Sequence, residues 1–154
     1  MTFTTPDGTY GITMKPNRLM RWFMHRQTSA IRRGKQGKMM GFAVLALITT
    51  GRKSGKTYET PMGYWEEPAG TWVICASAAG AAKHPAWYRN LAAAPDSAHI
   101  VIAGEEIAVS AEELHGTERD AAWKRIIDEA PRFAGYTEKT DRELPVIRLT
   151  RRSN

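Results

Sequence analysis

Phe42-Ala43-Val44-Leu45-Ala46-Leu47-Ile48-Thr49-Thr50 runs into Gly51-Arg52-Lys53-Ser54-Gly55-Lys56 and then into Thr57-Tyr58-Glu59-Thr60-Pro61-Met62-Gly63-Tyr64-Trp65. The first nine residues are apolar or β-branched and bounded on both sides, too short a run for an ordinary helix but suited to a strand. The next six have turn chemistry, with a glycine near each end, and the last nine read as the returning strand. Glu66 to Gly70 makes a second turn and Thr71 to Ser77 a third strand in meander order. After a small-residue loop from Ala78 to Pro85, a short helix is expected through Leu91 to Ala94. Ala98 to Ala103 and Glu105 to Ala111 form another hairpin, with Ile100 and Ile102 alternating against Ile107 and Val109. Thr117 is placed to cap a helix from Glu118 to about Glu129 that turns Ala122, Trp123 and Ile126 inward. Phe133 to Thr140 is a further helical piece and Pro145 to Leu149 a last strand. The fold class is therefore α+β, a small antiparallel β-barrel of about six strands with flanking helices.

Upstream, Leu19, Met20, Phe23, Met24 and Ile31 recur at helical spacing from a start at Pro16, and Gly34 ends the run. Arg18, Arg21, Arg26, Arg32 and Arg33 fill much of the remaining surface, which makes this a basic amphipathic helix. Residues 1–15 read as a leader and Lys35 to Lys38 as a mobile basic connector. The expected organisation is thus a leader and helix over 1–38 ahead of a domain over 39–154.

The net charge of +6 is unevenly spread. Residues 1–58 hold 11 of the 22 Lys and Arg but only Asp7 among the acids, a net +10, whereas residues 59–154 carry −4. One part of the chain is built to face something anionic: a phosphorylated or carboxylated small molecule, an acidic membrane surface or nucleic acid. The longest apolar run, Gly41 to Ile48, falls far short of the roughly 18 residues of a spanning helix. Nothing at the N-terminus resembles a secretory signal, so a cytoplasmic protein is expected. The one cysteine, Cys75, sits in an apolar run and reads as a buried, inert thiol.

Two segments could carry chemistry. In Thr49 to Lys56, two glycines let backbone amides approach an oxyanion, and Arg52, Lys53, Lys56 and Ser54 would complete a phosphate site. A solvated hairpin turn accounts for the same residues. In Ala76 to Leu91, the small residues Ala76, Ser77, Ala78, Ala79 and Gly80 leave room for a flat ring against backbone. Lys83 adds a cation there, with Trp87 and Asn90 as wall and anchor; a plain loop with a packed aromatic is the alternative. His25, His84, His99 and His115 are scattered without ligand spacing, so no metal centre is expected. No Gly-x-Ser-x-Gly nucleophile motif occurs either.

Taken together, Thr49 to Gly55, Thr60-Pro61, Ala76-Ser77, Gly80, Pro85-Ala86-Trp87-Tyr88-Arg89-Asn90-Leu91 and Thr140-Asp141-Arg142-Glu143-Leu144-Pro145 resemble the F420-dependent nitroreductase family. These are deazaflavin-dependent oxidoreductases with a split β-barrel fold, and the match runs from about Phe42 to Leu149. The resemblance implies reduced coenzyme F420 as hydride donor to a quinone, conjugated enone or nitroaromatic. Arg52, Lys53, Ser54 and Gly55 would hold the coenzyme's phosphodiester, with Lys56 and the N-terminal cations facing its oligoglutamate tail. Pro61, Met62, Ala76, Ser77, Ala78, Ala79, Gly80, Lys83, Trp87 and Asn90 would surround the ring. Trp65, Phe133 and Tyr136 would meet the acceptor, with Tyr136 as the catalytic phenol, a role that solvent could also fill.

The sequence departs from the family pattern in places. Tyr58 stands where many relatives have arginine, and one glycine, Gly80, serves where relatives often have two. Of the tyrosine cluster of nitro-drug-activating members only Tyr136 remains, the other positions being Ala130 and Phe133. Charge does not separate coenzyme F420 from flavin mononucleotide, since both carry phosphate. A non-enzyme alternative is a basic module whose 15–38 segment docks on anionic lipid, with Trp22 and Phe23 as anchors. Nucleic acid is not expected as a partner. Split-barrel relatives often dimerise, though no apolar stripe here compels a homodimer.

Overall fold

The computed structural model describes residues 3–12, 17–34, 37–39 and 42–152. The expected helix start at Pro16, the cations Lys15 and Lys35 and the side chain of Lys38 lie outside the described residues. Helix α1 (Arg18–Arg32) is followed by strands β1 (Gly37–Met39), β2 (Phe42–Thr50), β3 (Thr57–Gly63), β4 (Trp65–Glu67) and β5 (Thr71–Cys75). Then come a 3-10 turn (Ala78–Gly80), α2 (Ala86–Ala93), β6 (Ala98–Ile102) and β7 (Glu105–Glu113). Helices α3 (Gly116–Glu129) and α4 (Arg132–Tyr136) precede β8 (Val146–Arg151).

All strand pairings are antiparallel. Strand β2 pairs with β3 on one side and with β6 on the other, and the ladder continues from β6 through β7, β8 and β5 to β4. Strand β3 passes into β4 across Tyr64, so the pairing runs round a ring. Counting β3 and β4 as one bent wall, six walls form the barrel; the short β1 is an addition along β2. That strand is a correction, because the Lys35–Lys38 connector contributes Gly37 and Lys38 to a paired strand opposite Val44 and Ala43.

Strand β2 is apolar and buried from Val44 to Ile48 because both its faces are covered there. Leu45 and Leu47 point into the barrel, with Met62, Trp72, Ile74, Ile100, Ile107, Val109, Ile147 and Leu149. Val44, Ala46 and Ile48 point outward and, with Val101, meet Ile31 of α1. A second outer layer is built by α3 and α4 over Trp65, Val73, Cys75 and Val146. Burial there pushes the Cys75 thiol up to about 12, so it stays protonated and inert.

Two local expectations shift. Helix α3 opens on His115, with Thr117 inside its first turn, because the sheet still holds Leu114 through its N–H to the Val146 carbonyl at 2.8 Å. In α1, Leu19, Met20 and Phe23 are exposed, and only the later turns bury a face, at Thr28 and Ile31. The first half of the helix reaches past the sheet that covers the second. Among the described residues no helix is long and apolar enough to cross a membrane.

Ile31 is fully buried and is the chief apolar tie between α1 and the barrel. Ile31→Ala should cost about 2–5 kcal/mol in urea unfolding; an unchanged midpoint would show that α1 is not docked there.

Candidate active site

The turn after β2 closes on itself. Gly51 N–H bonds the Lys56 carbonyl at 2.7 Å, Gly55 N–H bonds the Gly51 carbonyl at 2.8 Å, and Gly55 sits at φ +71°. Ser54 Oγ accepts from Lys56 N–H at 3.2 Å and lies 3.3 Å from the Tyr58 hydroxyl. Asn90 ties this turn to α2. Its Oδ1 accepts from Arg52 N–H at 3.2 Å and from Arg52 Nη1 at 3.3 Å, while Nδ2 donates to Thr49 Oγ1 at 3.2 Å. Asn90, expected to anchor a ligand, orients Arg52 through Oδ1 and holds Thr49 through Nδ2. Among the described residues no carboxylate pairs with Arg52, Lys53 or Lys56, whereas Arg32, Arg89, Arg119 and Arg148 all have acidic partners. The exposed turn therefore presents an uncompensated cationic surface.

The second segment is strained. Ala78, Ala79 and Gly80 lie consecutively at φ +45°, +52° and +84°, the left-handed region that penalises a Cβ. A buried guanidinium holds them. Arg142, 3% exposed, donates to the carbonyls of Ala76 (2.8 Å), Ser77 (2.6 Å) and Ala81 (2.8 Å), and its Nη1 lies 2.8 Å from His84 Nδ1. A guanidinium can only donate, so His84 Nδ1 is the acceptor and the ring proton sits on Nε2, which donates to the Thr5 carbonyl at 2.8 Å. Burial lowers the His84 pKa, keeping the ring neutral.

Helix α4 packs onto this loop. A Cβ on Gly80 would come within 3.0 Å of Lys139 Cβ and 3.1 Å of the Tyr136 carbonyl. Trp65, Phe133 and Tyr136 form a continuous aromatic file, with ring centroids 5.6 Å and then 5.4 Å apart. Trp65 and Phe133 are buried, so only the half-buried Tyr136 reaches solvent, under the Lys139 ammonium. Met62 is turned into the barrel, Trp87 packs on the same core, Pro61 lies opposite Ala46, and Lys83 is exposed. The expected residues thus fall into two groups, the cationic turn and the strained loop with α4. Helix α2 spaces them, its N-cap Pro85 following the loop and its Asn90 holding the turn.

Arg142, His84, Asp7 and Arg89 were not singled out for a role from sequence. Asp7 accepts from His84 N–H at 2.9 Å and pairs with Arg89. Its isolation as the sole acid before Glu59 is the signal that could have located it. Beside this pair a cavity of about 390 Å³ is lined by Phe3 to Asp7, Arg52, His84, Tyr88, Arg89, Ala92 and Ala93. It borders the cationic turn through Arg52 but takes no residue from Ala76 to Lys83 or from α4.

Two outcomes follow from this geometry. Ala79→Gly should stabilise the fold by about 0.5–1 kcal/mol, the left-handed penalty of about 1–2 kcal/mol less the extra freedom of unfolded glycine; a lower thermal midpoint would refute the strain. Because the folded pKa of His84 lies below its ordinary 6.5, the unfolded chain binds more protons under that pH. Stability should fall as pH drops below about 6.5, with a shallower fall in His84→Gln; parallel curves would reject the assignment.

The sequence model of the F420H(2)-dependent quinone reductase family matches residues 18–151. The F420H(2)-dependent quinone reductase Rv1261c of Mycobacterium tuberculosis is 34% identical over 137 residues, covering 82% of this chain and 89% of its own. Among solved structures, an F420-H2 dependent reductase (FDR-A) aligns with a TM-score of 0.62 at 36% identity, covering 69% of this chain and 92% of its own. A chain described as a domain-swapped dimer aligns at 0.65 and 30% identity, covering 85% and 98%. The split-barrel topology, the paired cationic and small-residue segments and these matches agree: the chain belongs to the F420H(2)-dependent quinone reductase family, oxidoreductases whose cofactor is reduced coenzyme F420.

Proposed function

We infer that this chain reduces a quinone to its hydroquinone with coenzyme F420, binding the phosphodiester at Arg52, Lys53, Ser54 and Gly55 and the ring along Ala76 to Lys83. The carrying observation is the cationic turn, unpaired by any described carboxylate and aimed by Asn90. The residues suit the coenzyme on two counts. Arg52, Lys53 and Lys56 are exposed together with the Ser54 hydroxyl, a cationic donor set that suits a phosphate. Ala78, Ala79 and Gly80 present little more than backbone, as a flat ring requires. When bound, the reduced deazaflavin supplies a hydride to an electron-poor acceptor. Tyr136, at the open end of the Trp65–Phe133–Tyr136 file, would donate a hydrogen bond or the balancing proton to the quinone oxygen. Asn90 and Arg142 keep the two halves of the site apart and in shape.

A second observation bears on where the acceptor is met. Leu19, Trp22 and Phe23 are 62%, 51% and 57% exposed on α1, with Arg26 stacked over Trp22 and Arg18, Arg21 and Arg33 also exposed. Apolar anchors among arginines suit an anionic bilayer, the solvent of a lipid quinone. Trp22→Ala with Phe23→Ala should abolish sedimentation with anionic vesicles and spare reduction of a water-soluble quinone; unchanged sedimentation would exclude this face. The domain-swapped neighbour favours a homodimer, which sedimentation equilibrium would test.

Titration with oxidised coenzyme F420 and separately with flavin mononucleotide, followed by tryptophan quenching, tests the cofactor. Saturation by the deazaflavin alone is expected, and Arg52→Ala should weaken it about ten- to hundredfold, as loss of a charge-assisted contact does. Preference for the flavin would overturn the reading. Tyr136→Phe should lower quinone turnover without changing coenzyme affinity; unchanged turnover would leave the proton to solvent.

A further inference from the structure

Residues 3–12 lie outside the stretch that the family matches, and their sequence has no periodicity. Their polar groups nevertheless converge on the strained loop and on the Thr140-Asp141-Arg142 corner beneath it. Gly8 N–H bonds the Ala82 carbonyl at 2.8 Å, and Ala82 N–H bonds the Ile12 carbonyl at 3.3 Å, where Ile12 bridges Ala81 in parallel. Asp141 accepts from Thr9 N–H (2.7 Å), Thr9 Oγ1 (2.5 Å) and Tyr10 N–H (3.3 Å), and Thr140 Oγ1 donates to the Tyr10 carbonyl at 2.6 Å. Thr5 and Asp7 secure His84, as described above.

The two glycines of this segment are demanded by close approach. A Cβ at Gly8 would stand 2.6 Å from Asp141 Oδ1 and 2.8 Å from Arg142 N. At Gly11, φ +149°, it would stand 2.6 Å from both the Gly80 carbonyl oxygen and Ala82 N. These neighbours at Gly11 are backbone and cannot swing aside.

We propose that residues 3–12 form a strap that holds the 76–84 loop in its ligand-binding shape, a positioning element of the coenzyme site lying outside the family's matched core. It rests on the reading above that this loop meets the deazaflavin. Arg142 holds the loop through the carbonyls of Ala76, Ser77 and Ala81; the strap holds it through Ala82 and His84. Three successive left-handed residues would relax if either hold failed. A ligand would then have to re-order the loop on binding, at about tenfold in affinity for each residue re-fixed.

Gly11→Ala tests this with one methyl group in the full chain. Amide exchange without coenzyme reads the loop directly: protection at Ala82 and His84 should vanish while that of β2 persists. The dissociation constant for oxidised coenzyme F420 should rise about tenfold or more. The KM for the reduced coenzyme should rise likewise, with turnover at saturating coenzyme near wild type, a split that general destabilisation would not produce. Should Gly11→Ala fail to fold, Asp141→Ala, which removes the acceptor of Thr9 and Tyr10, gives the same readouts. Unchanged protection at Ala82 and His84, or lost protection with unchanged coenzyme affinity, would overturn the proposal. If the unaltered chain does not bind the deazaflavin, the functional reading falls, and with it the strap's role in that site; the exchange result separates this from a strap that never held the loop.

Discussion

The guanidinium of Arg142 is the interaction on which the site depends. It is nearly sequestered from water, and among the described residues it forms no ion pair; backbone carbonyls and one imidazole nitrogen receive its protons. A buried cation is costly unless its donors are all used. The planar fork comes close to that condition, placing four of its five N–H donors, because the loop curls around it, and the loop can curl because Ala78, Ala79 and Gly80 accept left-handed backbone. Each feature makes the other tolerable. The same arginine sets the tautomer of His84, which in turn receives the N-terminal segment.

The barrel supplies the rigid frame for this arrangement. Strand β2 is buried on both faces, so its end at Thr49 and Thr50 is a fixed point from which the cationic turn projects. Asn90 then couples that turn to α2 without adding charge, leaving the positive potential of Arg52, Lys53 and Lys56 directed outward. Other arginines of the barrel are neutralised locally, as Arg148 is by Glu67, Glu112 and Glu118. The uneven charge along the sequence thus becomes uneven potential across the surface.

Much of the strand layout was legible because short apolar runs between glycine and proline signals have few alternatives. The run 42–50 is strand β2 with the same bounds, and the hairpin across Gly104 appears as expected. The helices were less legible at their edges. Leu19, Met20 and Phe23 share helical spacing with Ile31, yet only Ile31 has a sheet opposite it. Spacing records which residues share a face, not whether anything covers that face.

For the site, local chemistry was carried by the chain itself: the acid-free basic half, the glycine-bounded turn, the small-residue loop and the motif likeness that named a family. These are short-range features, set by residue type and spacing. Tertiary structure alone decided that Asn90 faces Arg52, that Trp65 and Phe133 lie inside while Tyr136 emerges, and that Arg142 and Asp141 join residues 3–12 to the loop. Those pairings span from 38 to more than 130 positions along the chain. Their cause is the closure of the barrel, which brings its N-terminal segment, its central loop and its last corner to one place.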